Sequence, residues 1–177
     1  GGRMGLPYYV LYASATVVLP PGGLGWLTGA ILFAQTGSNL LWGLLADRQG
    51  FRNVMGLSLL VWIGATLLLM NAPSFALVVV GFVGLGVGIG GFEQATANLV
   101  LEFGTREDLP MRIALSQSAE QLVNVIAPLA GGVIVASASY APMFWCAIVV
   151  QCAALAVIAL RLRDPRHRGR DQSLAKQ

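Results

Sequence analysis

Three long stretches of this 177-residue chain, residues 4–46, 53–92 and 121–160, contain no Asp, Glu, Lys or Arg. Each is about 40 residues long. A membrane-spanning helix needs about 20 apolar residues, so each stretch accommodates two crossings and a turn. Only 11% of the residues are charged and 56% are apolar, against roughly 25% charge in soluble domains, which excludes an ordinary globular protein. Six such helices use nearly the whole chain. The expected fold is an all-α membrane protein of six transmembrane helices.

Each stretch breaks near its middle, at Pro20-Pro21-Gly22-Gly23, at Asn71-Ala72-Pro73-Ser74, and between Ser137 and Pro142. Proline lacks the helical donor and glycine tolerates positive φ, so these clusters mark turns. The expected spans are about 4–19, 24–45, 53–70, 74–101, 111–136 and 141–162, with a basic tail over 163–177. Unbroken apolar runs suit helices, whereas a barrel needs alternating segments of about ten residues.

All eleven basic residues lie at Arg3, in the second and fourth connections (Arg48, Arg52, Arg106, Arg112), or from Arg161 onwards. The Pro/Gly turns carry none. The positive-inside rule makes the charged side cytoplasmic, together with both ends of this segment. The net charge of +3 reflects these loops, and without a basic–aromatic patch it does not point to nucleic acid. The first residue is Gly, and the first span is short, with Arg3 and Pro7 near its start. Both features suggest a fragment. An N-terminal signal peptide fits poorly, with one Arg and five further spans.

Polar residues sort the spans. The third holds only Ser58 and Thr66 in its interior, and the sixth holds Gln151 and two cysteines, so both read as peripheral and lipid-facing. The second carries Gln35, Ser38 and Asn39, with Gln35 and Asn39 one turn apart. The fourth carries Glu93, Gln94 and Asn98. Gln117, Glu120, Gln121 and Asn124 form one stripe on the fifth. Three small-xxx-small pairs, Gly25/Gly29, Gly84/Gly88 and Gly86/Gly90, permit close helix approach. A glycine-rich fourth helix could also bend or slide during a conformational cycle. The run from Gly86 to Gly91 matches GxGxxG, with Glu107 and Asp108 downstream, but a dinucleotide loop belongs between a strand and a helix. Inside an apolar span that reading is rejected.

Glu93 and Glu120 are the acids placed within spans. A charge at the bilayer centre costs on the order of 2.5–3.5 kcal/mol on insertion scales, and burial raises a carboxylate's pKa. Such a group can take a proton on one side and release it on the other. Glu93 lies in the cytoplasmic half of its span and Glu120 about two turns from Arg112, so a structural ion-pair role is the alternative for each. The amides Gln35, Asn39, Gln94, Asn98, Gln117, Gln121 and Asn124 suit either a polar cavity or inter-helix hydrogen bonding. Tyr8, Tyr9 and Tyr12 suit either a cavity or an interfacial belt, with Tyr12 the cavity candidate.

Enzymatic inventories fail. The single His, His167, is in the tail, Cys146 and Cys152 point to different sides of one helix, and no GxSxG serine or phosphate-loop lysine exists. Neither a cofactor nor a metal site is expected.

The second connection reads Gly43-Leu44-Leu45-Ala46-Asp47-Arg48-Gln49-Gly50-Phe51-Arg52. It resembles the cytoplasmic signature loop of the major facilitator superfamily, G-x-x-x-D-R-x-G-R-[RK]. Arg52 matches the last basic position, while Phe51 replaces the one before it. A degenerate loop of this kind is similar to that of the C-terminal half of the family. The run Ala127-Pro128-Leu129-Ala130-Gly131-Gly132 resembles the family's penultimate helix. The resemblance implies helices seven to twelve of a twelve-helix transporter working by alternating access around a midplane site. It also implies a gating loop of Gly43, Asp47, Arg48, Gly50 and Arg52, in which Asp47 and Arg48 latch the cytoplasmic gate. Solvated helix ends are the alternative for those two charges.

The expected function is secondary active transport of a small organic solute, by an antiporter or symporter coupled to protons and completed by an N-terminal six-helix half. A dimer of halves is the other assembly. A membrane scaffold without transport is the alternative function. The ten-to-one ratio of Arg to Lys and the high Ala and Gly content suggest a bacterial inner membrane.

Overall fold

In a computed structural model of the chain, the described residues are 6–17, 19–102, 109–137 and 140–161. They form six helices and no strand: α1 Leu6–Thr16, α2 Gly23–Gln49, α3 Phe51–Met70, α4 Phe75–Glu102, α5 Leu109–Ser137 and α6 Tyr140–Arg161. The tail at 163–177 and the connection holding Arg106, Glu107 and Asp108 lie outside the described residues.

Among the described residues, three segments are long and apolar enough to cross a membrane: Phe51–Met70, Phe75–Leu99 and Pro142–Leu160. α1 is described over 11 residues, Leu6–Thr16. α2 and α5 have the length, with 27 and 29 residues. Their Gln, Asn, Ser and Gly content lowers their hydropathy, and those are the same residues that mark them as polar-faced in the sequence.

The Pro/Gly breaks have specific geometry. Gly22 has φ +77°, and the Gly23 amide donates to the Pro20 carbonyl at 2.8 Å, starting α2. α3 ends as the Asn71 and Ala72 amides turn back to Leu68 and Leu69, and the Ser74 carbonyl accepts from Val78 to open α4. Between α2 and α3 only Gly50 intervenes, at φ +85°, a conformation side-chain-bearing residues avoid. The loop seen in sequence is therefore almost entirely helical.

α4 is the centre of the molecule, and its glycines explain why. Gly81, Gly84, Gly88 and Gly91 face α3, and a Cβ on them would meet Leu69, Ala65, the Trp62 backbone and Ser58 at 2.6–2.9 Å. Gly86 and Gly90 face α2, where a Cβ would lie 2.5 Å from the Ile31 carbonyl oxygen and 3.1 Å from that of Gln35. One helix is thus gripped on two faces. Lipid offers no hydrophobic drive for helix association, so such close contact supplies the dispersion energy instead. The fully buried Phe82, Leu85 and Ile89 complete the α4 core. Buried hydroxyls are satisfied within their own helices, Ser58 on the Met55 carbonyl and Thr66 on the Trp62 carbonyl.

This arrangement adds detail to the sequence picture of α3 and α5. α3 buries a broad face (Val54, Met55, Ser58, Leu59, Trp62, Ala65, Thr66 and Leu69) against its neighbours. Its few polar groups reflect tight apolar packing, and among its large apolar side chains Leu57, Leu60 and Leu67 are exposed. α5 has its described large apolar side chains largely exposed, among them Leu115, Leu122 and Leu129. Gly25 and Gly29 meet nothing within 4 Å.

Candidate functional site

The polar residues of α2 and α4 meet at one level. The Gln35 amide donates to Glu93 Oε2 at 2.9 Å, joining the two helices. Gly90 leaves the room for this: a Cβ there would touch the Gln35 side chain at 3.1 Å and Asn39 Oδ1 at 3.2 Å. One turn further along α4, Gln94 reaches Gly43, whose Cβ position lies 3.4 Å from the Gln94 amide nitrogen. Gln94 Oε1 is buried and has no hydrogen-bond partner. The Asn98 amide donates to the Gln94 carbonyl within α4. Gln35, Glu93, Gln94 and Asn98 are half-buried, and Asn39 is exposed.

Gln117, Glu120 and Gln121 are exposed, and the Asn124 side chain lies outside the described residues, as do those of Arg112, Ala127 and Pro128. The structure therefore brings Gln35, Asn39, Glu93 and Gln94 together, while Gln117, Glu120 and Gln121 stand exposed on α5.

Tyr12 is engaged at the other end of the bundle. Its hydroxyl donates to the Met70 carbonyl at 3.2 Å and its ring sits edge-on to Phe144 at 4.8 Å. Tyr9, buried at 2% exposure, shares a 3.1 Å hydrogen bond with Thr66 and also stacks on Phe144. These two tyrosines fasten α1 to α3 and α6.

The signature loop divides between helix ends. Asp47 and Arg48 are exposed on the last turn of α2. Gly50 is the joint, and its amide donates to the Ala46 carbonyl at 2.8 Å. Arg52, in the first turn of α3, donates from Nη2 to the Ala159 carbonyl of α6 at 2.9 Å.

Trp42 is a residue that the sequence did not single out. Its indole nitrogen donates to the Val87 carbonyl at 2.9 Å, across the gap that Gly91 leaves open. A tryptophan in an apolar run, bonded to a backbone carbonyl, carries no sequence pattern. The signal was on the other strand of the contact, in the glycine.

A family model for the Major Facilitator Superfamily matches residues 2–177. The chain belongs to that superfamily. An efflux pump of the same superfamily from Pseudozyma antarctica (strain T-34), MMF1, is 26% identical over 158 residues, covering 87% of this chain and 29% of that protein. The efflux pump notK from Aspergillus sp. (strain MF297-2) is 23% identical over 144 residues, covering 81% of this chain and 26% of that protein. The chain spans less than a third of the length of these curated relatives. Superfamily membership and the apolar helices make this a multi-pass membrane chain. For this superfamily member, the GxGxxG run is a two-sided packing surface, since Gly86 serves α2 while Gly88 and Gly91 serve α3 and Trp42.

Proposed function

We propose that this chain is the C-terminal six-helix part of a secondary transporter that exports a small organic solute by alternating access, driven by proton exchange. The observation that carries the reading is the Gln35–Glu93 hydrogen bond. It puts a carboxyl group between two helices of a membrane bundle, held by an amide that can serve both its charged and its neutral form. A group so placed can alternate between proton-loaded and empty states as the helices shift. Both relatives are named as efflux pumps, which supports export as the direction.

In this reading all six helices cross the bilayer, with the bundle over 1–162, the tail over 163–177 and the Arg48–Arg52 end cytoplasmic, following the basic-residue bias. The exposed apolar faces of α2 (Trp26, Phe33, Leu40) and α5 (Leu122, Leu129) support contact with a second six-helix half, with the α5 stripe of Gln117, Glu120, Gln121 and Asn124 turned to the shared cavity. Asp47 and Arg48, exposed at the end of α2, are positioned for a gate latch with that half. The bacterial inner membrane suggested by composition rests on the Arg, Ala and Gly bias, whereas both relatives are fungal.

The test is solute flux in sealed vesicles carrying the complete protein under an imposed pH gradient. Glu93→Gln keeps a hydrogen-bonding partner for Gln35 but cannot exchange a proton. Gradient-driven flux is expected to fall at least ten-fold while membrane insertion is unchanged. Glu120→Gln, measured in parallel, assigns the second acid. Wild-type gradient-driven flux in both variants would overturn proton exchange at these sites, and no flux in the wild type would favour a scaffold.

A further inference from the structure

We propose that the junction of α1, α3 and α6 holds one internal water molecule, which bridges the Trp62 indole to the Gln151 side-chain carbonyl. Two buried groups of opposite kind lack a hydrogen-bond partner among the described residues, the donor Trp62 Nε1 and the acceptor Gln151 Oε1. Both side chains are only 8% exposed. Buried polar groups rarely stay unpaired, and inside a membrane bundle no bulk water reaches them. The site is independent of the Gln35–Glu93 pair and of the transport reading.

Helix register brings the two groups to one level. Arg52 bonds the Ala159 carbonyl, and one turn further on the Cβ position of Gly56 faces Leu155 at 3.8 Å. The next antiparallel step sets Gln151 level with Leu60, half a turn from Trp62. A helical side chain leans toward the N-terminus of its own helix, which carries the Gln151 amide on to the level of Trp62. Gln151 belongs to the buried stripe of α6 formed with Phe144, Ile148 and Ile158. At one end of that stripe Tyr9 packs on Phe144, with ring centroids 5.3 Å apart. The Tyr9 hydroxyl bonds Thr66, and the Trp62 side chain approaches that hydroxyl without completing a hydrogen bond.

Counting protons selects the ligand. The Thr66 hydroxyl donates to the Trp62 carbonyl at 3.0 Å, so its oxygen accepts the Tyr9 proton. That leaves an acceptor lone pair on the Tyr9 oxygen. The junction therefore offers one donor, on Trp62, and two acceptors, on Gln151 and Tyr9. Water accepts one bond and donates two, which matches all three and is the usual coordination of a buried water. An alcohol brings a single proton and leaves one acceptor unmet. An ammonium group cannot accept from the indole at all.

The experiment uses the complete protein in neutral detergent, isotope-labelled at the tryptophan indole nitrogens. It reads the nuclear Overhauser cross-peak between the Trp62 indole proton and water, with Trp62→Phe identifying the signal. A strong cross-peak is expected in the wild type. Gln151→Met, similar in size but without the amide acceptor, should abolish it and move the indole proton upfield. Tyr9→Phe should retain the cross-peak, because the bridge from Trp62 to Gln151 remains. Its loss in Tyr9→Phe would overturn the proposal, since the signal then came from the tyrosine's own hydroxyl proton. A wild-type spectrum without the cross-peak, or a full cross-peak in Gln151→Met, would overturn it equally. So would its replacement by a cross-peak from the methylene protons of added ethanol, which would assign the site to alcohols. The wild-type spectrum decides the matter even where Gln151→Met fails to fold.

Discussion

Trp42 and Gly91 form a contact in which one residue is defined by what it lacks. A Cβ on Gly91 would lie 2.5 Å from the indole ring and 2.7 Å from its nitrogen, so the bond from Trp42 to the Val87 carbonyl exists only because position 91 is bare. Gly91→Ala is expected to destabilise the bundle by about 1–3 kcal/mol through overpacking and loss of that bond. In a Trp42→Leu background the same substitution should cost clearly less, because the two changes share one contact. Denaturant unfolding of the four proteins in detergent measures the difference, and equal costs in the two backgrounds would break the pairing. At this scale the sequence exposed Gln35 and Glu93, because a polar group in an apolar run stands out and helical spacing gives its face. It did not expose Trp42, nor the packing role of Tyr9, which read only as a cavity or interfacial residue. Their partners are a backbone carbonyl and a hydroxyl distant in sequence, and neither has a periodic signature.

Among the elements, α4 sets the terms. Its glycines alternate between two neighbours, so the same small side chain has opposite value at different positions. Gly86→Ala and Gly88→Ala put a methyl 2.5 Å from the Ile31 carbonyl oxygen and 2.8 Å from Trp62, against backbone that cannot yield. Each should lower stability by about 1–3 kcal/mol. Gly25→Ala and Gly29→Ala meet nothing within 4 Å and should leave the isolated chain unchanged or gain up to about 1 kcal/mol from helix propensity. Thermal unfolding of the four variants separates the classes. The Gly84/Gly88 and Gly86/Gly90 pairs were readable in the sequence as close-approach surfaces, but which neighbour each pair meets was not. α3 illustrates the converse. Its apolar composition reads as lipid-facing, yet apolar residues serve a tight helix contact equally well, and composition cannot separate the two.

For the molecule as a whole, the proposed topology makes a direct prediction. With Cys146 and Cys152 replaced by serine, a cysteine at Asn71 and one at Arg48 should react with a membrane-impermeant thiol reagent from opposite sides of sealed vesicles. Labelling from the same side would invalidate α3 as a membrane crossing. The charge pattern is what proposes this topology, because insertion cost acts on every residue independently. The placement of α5 was not legible, since its polar stripe fixes a face of the helix and leaves open which surface that face meets.

The single-residue joint at Gly50 carries a mechanical consequence. A joint one residue long leaves no spare length, so the Gly50 end of the 27-residue α2 and the start of α3 must travel together even when the angle between them changes. Through Arg52, α3 is tethered in turn to the final turn of α6. Translation of that end of α2 is therefore carried to the Arg52–Ala159 corner, whereas a change of angle between α2 and α3 is taken up at Gly50.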